Sequence, residues 1–392
     1  MKIGFDARLI NETGIGRYIR NILPQMIKAN KRNSWVITVR PEEEETLRKL
    51  LYRYLDRVQI ITVNARWHSF KEQLLMPLIF YKAKVDILHI PYINVPVFYF
   101  KKMAVTIHDL TVLKMNTGKS STTLPPFLYK LKRFGYKLAL KKALNSTLVF
   151  TVCNSVKNEI ISEFNKVDAS KIFVVYNGFT RLRVSKNKDL TKLVKKNSPY
   201  FFYVGNAHPH KNLDFLVTVL NAFFKRFPQY KLILAGRRDF FYKKLLKKIN
   251  SFEMKDNFIF INSPTDSALG LLYKKARLVV LPSLKEGFGL QILEAMQFNR
   301  PILCSNIPVY KEVSGNSAYY FNPTSARSFL LTLGKALKAD KSSYAKKYKV
   351  NLKKYTWEGS AKDLLSYYAS VIEKKPLKNK KALISKLFLR NE

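Results

Sequence analysis

The sequence predicts an α/β protein of two domains, each built around a parallel sheet. Three observations carry that prediction. The chain has 392 residues, enough for two cores at roughly 150 residues per domain. Short β-branched runs alternate with longer amphipathic stretches, and the alternation runs through twice. A polar, lysine-rich stretch at 181–197 has no sustained apolar period and reads as a linker between the two passes.

In the first pass the strands are Lys2–Phe5, Trp35–Val39, Val58–Val63, Ile87–Ile90, Ala104–Ile107, Leu148–Val152 and Ile172–Val175. In the second they are Tyr200–Val204, Lys231–Leu234, Phe258–Ile261, Leu278–Leu281, Ile302–Cys304 and Ala318–Phe321. Amphipathic helices are expected at Gly16–Lys28, Leu213–Phe227 and Phe240–Phe252. A last helix, Trp357–Lys374, carries Leu364, Leu365, Tyr368 and Ile372 on one side. The expected boundaries are 1–180 for the first domain, 198–356 for the second, 357–374 for the last helix and 375–392 for a basic tail.

Hydrophobic residues make up 47 % of the chain, which excludes a disordered protein. No run reaches the ~18 apolar residues of a membrane span, and Leu74–Tyr81 comes nearest. The first residues read as a strand with early charges rather than a signal peptide. Two cysteines, Cys153 and Cys304, lie in or beside apolar runs. That excludes a disulfide scaffold or a cysteine zinc site and favours a reducing, cytoplasmic compartment.

The net charge is +43. It is spread widely: residues 101–150 hold ten Lys/Arg against one acid, Asp109, and residues 201–250 hold ten against two. Nucleic acid, an anionic membrane and anionic substrates are the partners such a charge serves. No nucleic-acid recognition module is present. Phe127–Leu144 interleaves Lys130, Lys132, Arg133, Lys137, Lys141 and Lys142 with Leu, Phe and Tyr. The tail after Pro376 sets Leu383, Ile384, Leu387 and Phe388 against Lys380, Lys381, Lys386 and Arg390. Both read as contacts for an anionic membrane surface.

Ligands of open parallel sheets bind beyond the carboxyl ends of the strands, so chemistry is sought there. The first strand leads through Asp6-Ala-Arg8 to Gly14-Ile15-Gly16-Arg17, where glycines before a helix admit a phosphate. His108-Asp109 follows the fifth strand, placing an imidazole at a strand end with Asp109 beside it. Gly205-Asn206-Ala207-His208-Pro209-His210-Lys211 follows the first strand of the second pass and sets Lys211 at a helix start, suited to a diphosphate. His208 and His210 lack a third ligand, so no metal is expected. Glu286 precedes Gly287-Phe288-Gly289, and Glu294 lies about two turns into the next helix, where burial demands a partner. Carboxylates there suit sugar hydroxyls, because each accepts several hydrogen bonds.

At these residues the chain resembles family 4 of the glycosyltransferases, retaining enzymes of the two-domain GT-B fold. The resemblance rests on Glu286-x7-Glu294 within Pro-Ser-x-x-Glu-Gly-Phe-Gly-x-x-x-x-Glu-Ala-Met, on 204–213, on Thr106-Ile-His-Asp-Leu110, on Asn177-Gly178 and on Tyr355-Thr-Trp-Glu358. It implies a fold of two Rossmann-like domains facing each other across a cleft, with the last helix crossing back to the first. It implies that Glu286 holds hydroxyls of a donor sugar and Glu294 the nucleotide ribose. Lys211 would bind the donor diphosphate, helped by amides after Gly287, at Phe288, Gly289 and Leu290. Gly14 and Gly16 would let the first loop approach diphosphate or acceptor, and His108 would contact donor sugar or leaving phosphate. Many members carry an arginine after the strand glycine Gly205; here it is Asn206. His210, Arg237 or Arg238 are the candidates for the missing second cation. Asn206 also occurs in a branch similar to mannosyltransferases of bacterial surface polysaccharides. The expected partners are a nucleoside-diphosphate sugar and a lipid-linked glycan, at the inner face of the membrane, with no metal or cofactor.

Overall fold

The structure is a computed structural model that describes residues 1–12, 14–67, 69–111, 126–184, 199–340 and 342–373, with backbone alone for 126–132. Seven parallel strands form the first sheet: β1 (Lys2–Asp6), β2 (Ser34–Val39), β3 (Val58–Thr62), β4 (Ile87–Ile90), β5 (Met103–Ile107), β6 (Leu148–Thr151) and β7 (Ile172–Val174). Their order is 3-2-1-4-5-6-7. Six parallel strands form the second: β8 (Tyr200–Val204), β9 (Lys231–Gly236), β10 (Phe258–Asn262), β11 (Leu278–Leu281), β12 (Ile302–Ser305) and β13 (Tyr319–Phe321), in the order 10-9-8-11-12-13. All thirteen runs picked from the sequence are strands, with ends shifted by at most two residues. The register aligns Ile3 with Trp35 and Phe201 with Leu232.

Burial explains why these strands read as continuous apolar runs. Helices cover both faces, so Ile3, Phe5, Ile87, Leu88, Val279 and Val280 are all buried. In each sheet the strand order reverses once, between β1 and β4 and between β8 and β11. The crossovers leave in opposite directions there, and a crevice opens at the carboxyl ends. The cleft described below is built at these two points.

The last helix, Trp357–Ile372, follows the second sheet in sequence but packs on the first. Trp357, Ala361, Leu364 and Tyr368 share a core with Ile3, Phe5, Ile19 and Ile22. Thr356 caps it, accepting from the Gly359 amide at 3.1 Å. Its entry depends on Gly178, where a Cβ would stand 2.2 Å from the Trp357 nitrogen. The basic tail at 375–392 and most of the linker, 185–198, lie outside the described residues.

One carboxylate ties the two halves together. Glu312, in the helix Pro308–Ser314, reaches the start of the helix Asn154–Glu163 in the other domain. It accepts from the Asn154 amide at 2.7 Å, the Ser155 amide at 2.8 Å, the Ser155 hydroxyl at 2.6 Å and the Tyr176 hydroxyl at 2.9 Å. The amides at a helix start lack partners in their own helix and attract negative charge. Burial pushes the Glu312 carboxyl up, but hydrogen bonds from Ser155 and Asn154 outweigh it and hold it below 4.5. A depressed folded value stabilises the protein above the unfolded value, and that contribution is lost as pH falls through the folded one. Glu312→Gln should therefore lower stability by about 1.5–3 kcal/mol at neutral pH. In urea titrations, the difference between wild type and variant should shrink as pH is taken below 4.5.

Candidate active site

The loop after β8 supplies the first part of the site. Gly205 has φ +152°, and a Cβ on it would stand 2.7 Å from the Tyr203 hydroxyl. That hydroxyl instead donates to the Asn206 carbonyl at 2.8 Å. A single turn, Pro209–Lys211, ends at Asn212 with φ +58°. The Asn212 side-chain Nδ2 donates to the carbonyls of Pro282 and Pro323, and the Leu284 backbone amide donates to the His210 carbonyl at 2.8 Å. These bonds set the β8 loop against the β11 loop.

Lys211 is thereby buried with its Nζ 2.7 Å from Glu286 Oε1. The same oxygen accepts from the Ser283 hydroxyl at 2.8 Å and the Tyr310 hydroxyl at 3.1 Å. The sequence suggests a carboxylate in a glycine turn whose removal costs little stability. The structure corrects this, because removing Glu286 strands a buried ammonium. After Gly289, at φ +81°, the helix Leu290–Gln297 begins. Glu294 lies in it, almost fully buried. Its Oε2 accepts from the Tyr273 hydroxyl at 2.7 Å, and its Oε1 lies 2.5 Å from Arg17 Nη1.

The first domain supplies the opposite wall. His108 follows β5 and its Nε2 lies 3.0 Å from the Pro91 carbonyl, so that nitrogen carries the proton. The Tyr18 ring meets it edge-on at 4.9 Å. Burial pushes the imidazole's pKa down, against the pull of Asp109, so it is neutral at neutral pH. Asp109 Oδ1 takes the Thr111 amide at 2.8 Å, which is a local turn. Beneath lies a buried chain that sequence reading missed. Tyr368 bonds His89 Nδ1, His89 Nε2 lies 2.9 Å from the Thr106 hydroxyl, and Tyr18 meets Thr106 at 3.3 Å. His89 is pushed down to about 3 by burial and then by His108. Its signal in the sequence was one polar residue inside an apolar strand, Ile-Leu-His-Ile.

These walls enclose a cleft of about 620 Å³. Among the predicted residues, Gly14, His108, Gly205, Asn206, His210, Lys211, Glu286, Gly287, Phe288, Gly289, Leu290 and Glu294 line it. Two do not. Gly16 packs under its helix, where a Cβ would stand 2.4 Å from the Ile10 carbonyl oxygen. Arg237 is exposed and outside the lining, as is Arg238. His210 lines the cleft, but burial and then Lys211 push it down to about 4, so it is no cation at neutral pH. Arg17, Asn177, Lys285 and Gln291 also line the cleft, and sequence reading gave none of them a role. Arg17 directly follows the glycine loop, which is the signal that could have found it. Among the described residues, no three His, Cys, Asp or Glu side chains converge to hold a metal.

Two parallel-sheet domains facing a cleft lined from both switch points define the GT-B fold. The first domain matches a family model described as Glycosyltransferase Family 4 over residues 13–180. The second matches Glycosyl transferases group 1 over 185–355. The chain belongs to this glycosyltransferase family. It is similar to the O-antigen chain mannosyltransferase RfbU of Salmonella typhimurium, at 33 % identity over 236 residues, which is 58 % of this chain and 63 % of that protein. It is also similar to O-antigen chain mannosyltransferase B of Escherichia coli, at 25 % identity over 68 % of this chain and 70 % of that one. The fold resembles Anabaena HepE, solved in complex with UDP, with a TM-score of 0.70 at 17 % identity over 94 % of this chain and 100 % of that one.

The tightest point of the cleft is Gly287. A Cβ there would stand 2.4 Å from the His108 carbonyl oxygen across the domain boundary. Gly287→Ala should push the domains apart and destabilise their contact by about 1–3 kcal/mol. Small-angle scattering should report a larger radius of gyration, with each domain's helix content unchanged by circular dichroism.

Proposed function

We propose that this protein is a retaining, metal-independent hexosyltransferase. It moves a sugar, mannose by preference, from a nucleoside diphosphate to a hydroxyl of a lipid-linked glycan, in the synthesis of a surface polysaccharide or glycolipid. The observation that carries this reading is the buried Lys211–Glu286 pair beside the Gly287–Gly289 turn, inside the interdomain cleft. The preference for mannose is supported by the activities named for two relatives. Retention follows from the resemblance to family 4.

In this reading negative charge develops on the departing diphosphate, and Lys211 and the amides opening the helix Leu290–Gln297 stabilise it there. Glu286 turns from Lys211 to the sugar hydroxyls. Neutral His108 donates or accepts a hydrogen bond without adding charge. Glu294 holds the ribose. Closure of the cleft keeps water from the donor.

Differential melting with GDP-mannose, UDP-glucose and UDP-galactose, followed by a transfer assay in excess chelator, tests this reading. GDP-mannose should raise the melting temperature most, and transfer should survive chelation. Lys211→Ala should weaken nucleoside-diphosphate binding by ~1.5–3 kcal/mol. Turnover without any hydroxyl acceptor would identify a phosphorylase or epimerase instead, and no response to any sugar nucleotide would overturn the reading.

The acceptor's lipid is supported by one face of the first domain. The helix Phe70–Lys82 exposes Phe70, Leu74 and Leu78, four residues apart. Phe98, Phe100, Phe134 and Leu138 are exposed nearby, and Lys142 sits 4.4 Å over the Phe100 ring, joining that loop to the helix Pro126–Leu144. Lys71, Lys101, Arg133, Lys137 and Lys141 are exposed among them. An apolar ridge rimmed by cations suits an anionic bilayer surface. Among the described residues no helix is long and apolar enough to cross a membrane. Sedimentation with phosphatidylglycerol-containing vesicles should carry the protein down, less so as salt rises. The double variant Leu74→Ser, Leu78→Ser should stay in the supernatant.

A further inference from the structure

Among the described residues, the cleft is short of unpaired positive charge. Lys211 is paired with Glu286, and Lys285 with Glu159 at 2.5 Å. Asn206 takes the position where many members of the family carry an arginine, and the exposed Arg237 and Arg238 stand outside the lining. His210 is neutral, as argued above. A diphosphate carries more than one negative charge, so a single lysine leaves it partly uncompensated.

Arg17 comes from the other side. It sits in the first turn of the helix Gly14–Ala29, two residues beyond Ile15, and lines the cleft with 24 % of its side chain exposed. Its guanidinium lies 2.5 Å from Glu294, whose side chain is 2 % exposed. A guanidinium has five N–H donors, and the ion pair with Glu294 engages one nitrogen, Nη1. The first turn of this helix contains no acid, and Asp266, at the start of the helix Asp266–Lys275, is a second carboxylate whose charge reaches Arg17.

We propose that Arg17 is the second cation of the nucleotide site, reaching from the first domain to a diphosphate held by the second. This rests on the nucleotide-sugar reading above. Ribose hydroxyls take the Glu294 oxygen that Arg17 now holds, and the freed guanidinium turns to the phosphates. Because the cation and the ligand's main seat belong to different domains, nucleotide binding and closure of the cleft become one event.

Titration calorimetry with GDP and UDP, and with guanosine and uridine, tests this on wild type and Arg17→Gln. The variant should lose about 10- to 100-fold in affinity for the diphosphate and much less for the nucleoside. Equal or tighter diphosphate binding by the folded variant would overturn the proposal and leave Arg17 as a strut on Glu294. A second measurement needs no variant. Phenylglyoxal labelling of the wild type, read by mass spectrometry, should show Arg17 protected by the diphosphate. Unchanged or increased labelling at Arg17 in its presence would also overturn the proposal. If wild type binds neither GDP nor UDP, the functional reading itself fails, a result distinct from binding that ignores Arg17.

Discussion

The site depends on a backbone contact across the domain boundary. Gly287 and the His108 carbonyl approach so closely that no side chain fits between them. The Cys153 thiol donates to the Gly287 carbonyl from the same side, at 3.2 Å. The loops after β5 and β11 therefore meet main chain to main chain, and Glu286 and His108 face one cleft as a result. Glu312 on the Asn154–Glu163 helix and Lys285 on Glu159 hold the contact from its flanks. Packed surfaces are not continuously deformable, so such a contact is either made or broken.

Charge is arranged differently inside the cleft and outside it. The chain carries +43 overall, yet Arg17, Lys211 and Lys285 each meet a carboxylate within 2.7 Å. A buried ion is costly without a partner, which is why the cleft cations are paired while the surplus stays on exposed surfaces. An anionic ligand would thus compete with carboxylates for the described cations that line the cleft. That makes recognition a matter of partner exchange as well as attraction.

The first domain supports its wall with buried polar groups. Arg8 pairs with Asp6 at 2.7 Å and Glu72 at 2.5 Å, and Asn94 donates to both carboxylates. Thr38 adds a bond to Asp6 at 3.1 Å. The ends of β1 and β2, the loop after β4 and the helix Phe70–Lys82 are joined through one guanidinium. Burial pushes Glu72 up even against Arg8, so the cluster tolerates two carboxylates around one cation. The His89 chain does similar work under His108, tying the last helix to β4 and β5 with neutral groups.

The sequence by itself determined the strands, the two-pass organisation and the loops that line the cleft. Leu278–Leu281 was legible to the residue, because a strand buried on both faces reads as a continuous apolar run that a turn interrupts. Glu286 and Lys211 were legible as cleft residues because each follows a strand in a glycine-bearing loop, and Glu294 because a carboxylate in a buried helix demands a partner. Only the tertiary structure decided which charges pair. Arg17 and Glu294 are far apart in the chain, as are Asn154 and Glu312, and neither pair has a spacing that local periodicity can encode. It also decided that Gly16 is a packing glycine while Gly14 faces the cleft, since both satisfy the same turn and only the neighbouring Ile10 carbonyl tells them apart. Strand patterns follow from each segment's own contact with water and core, whereas partners across a cleft follow from how two finished domains close on each other.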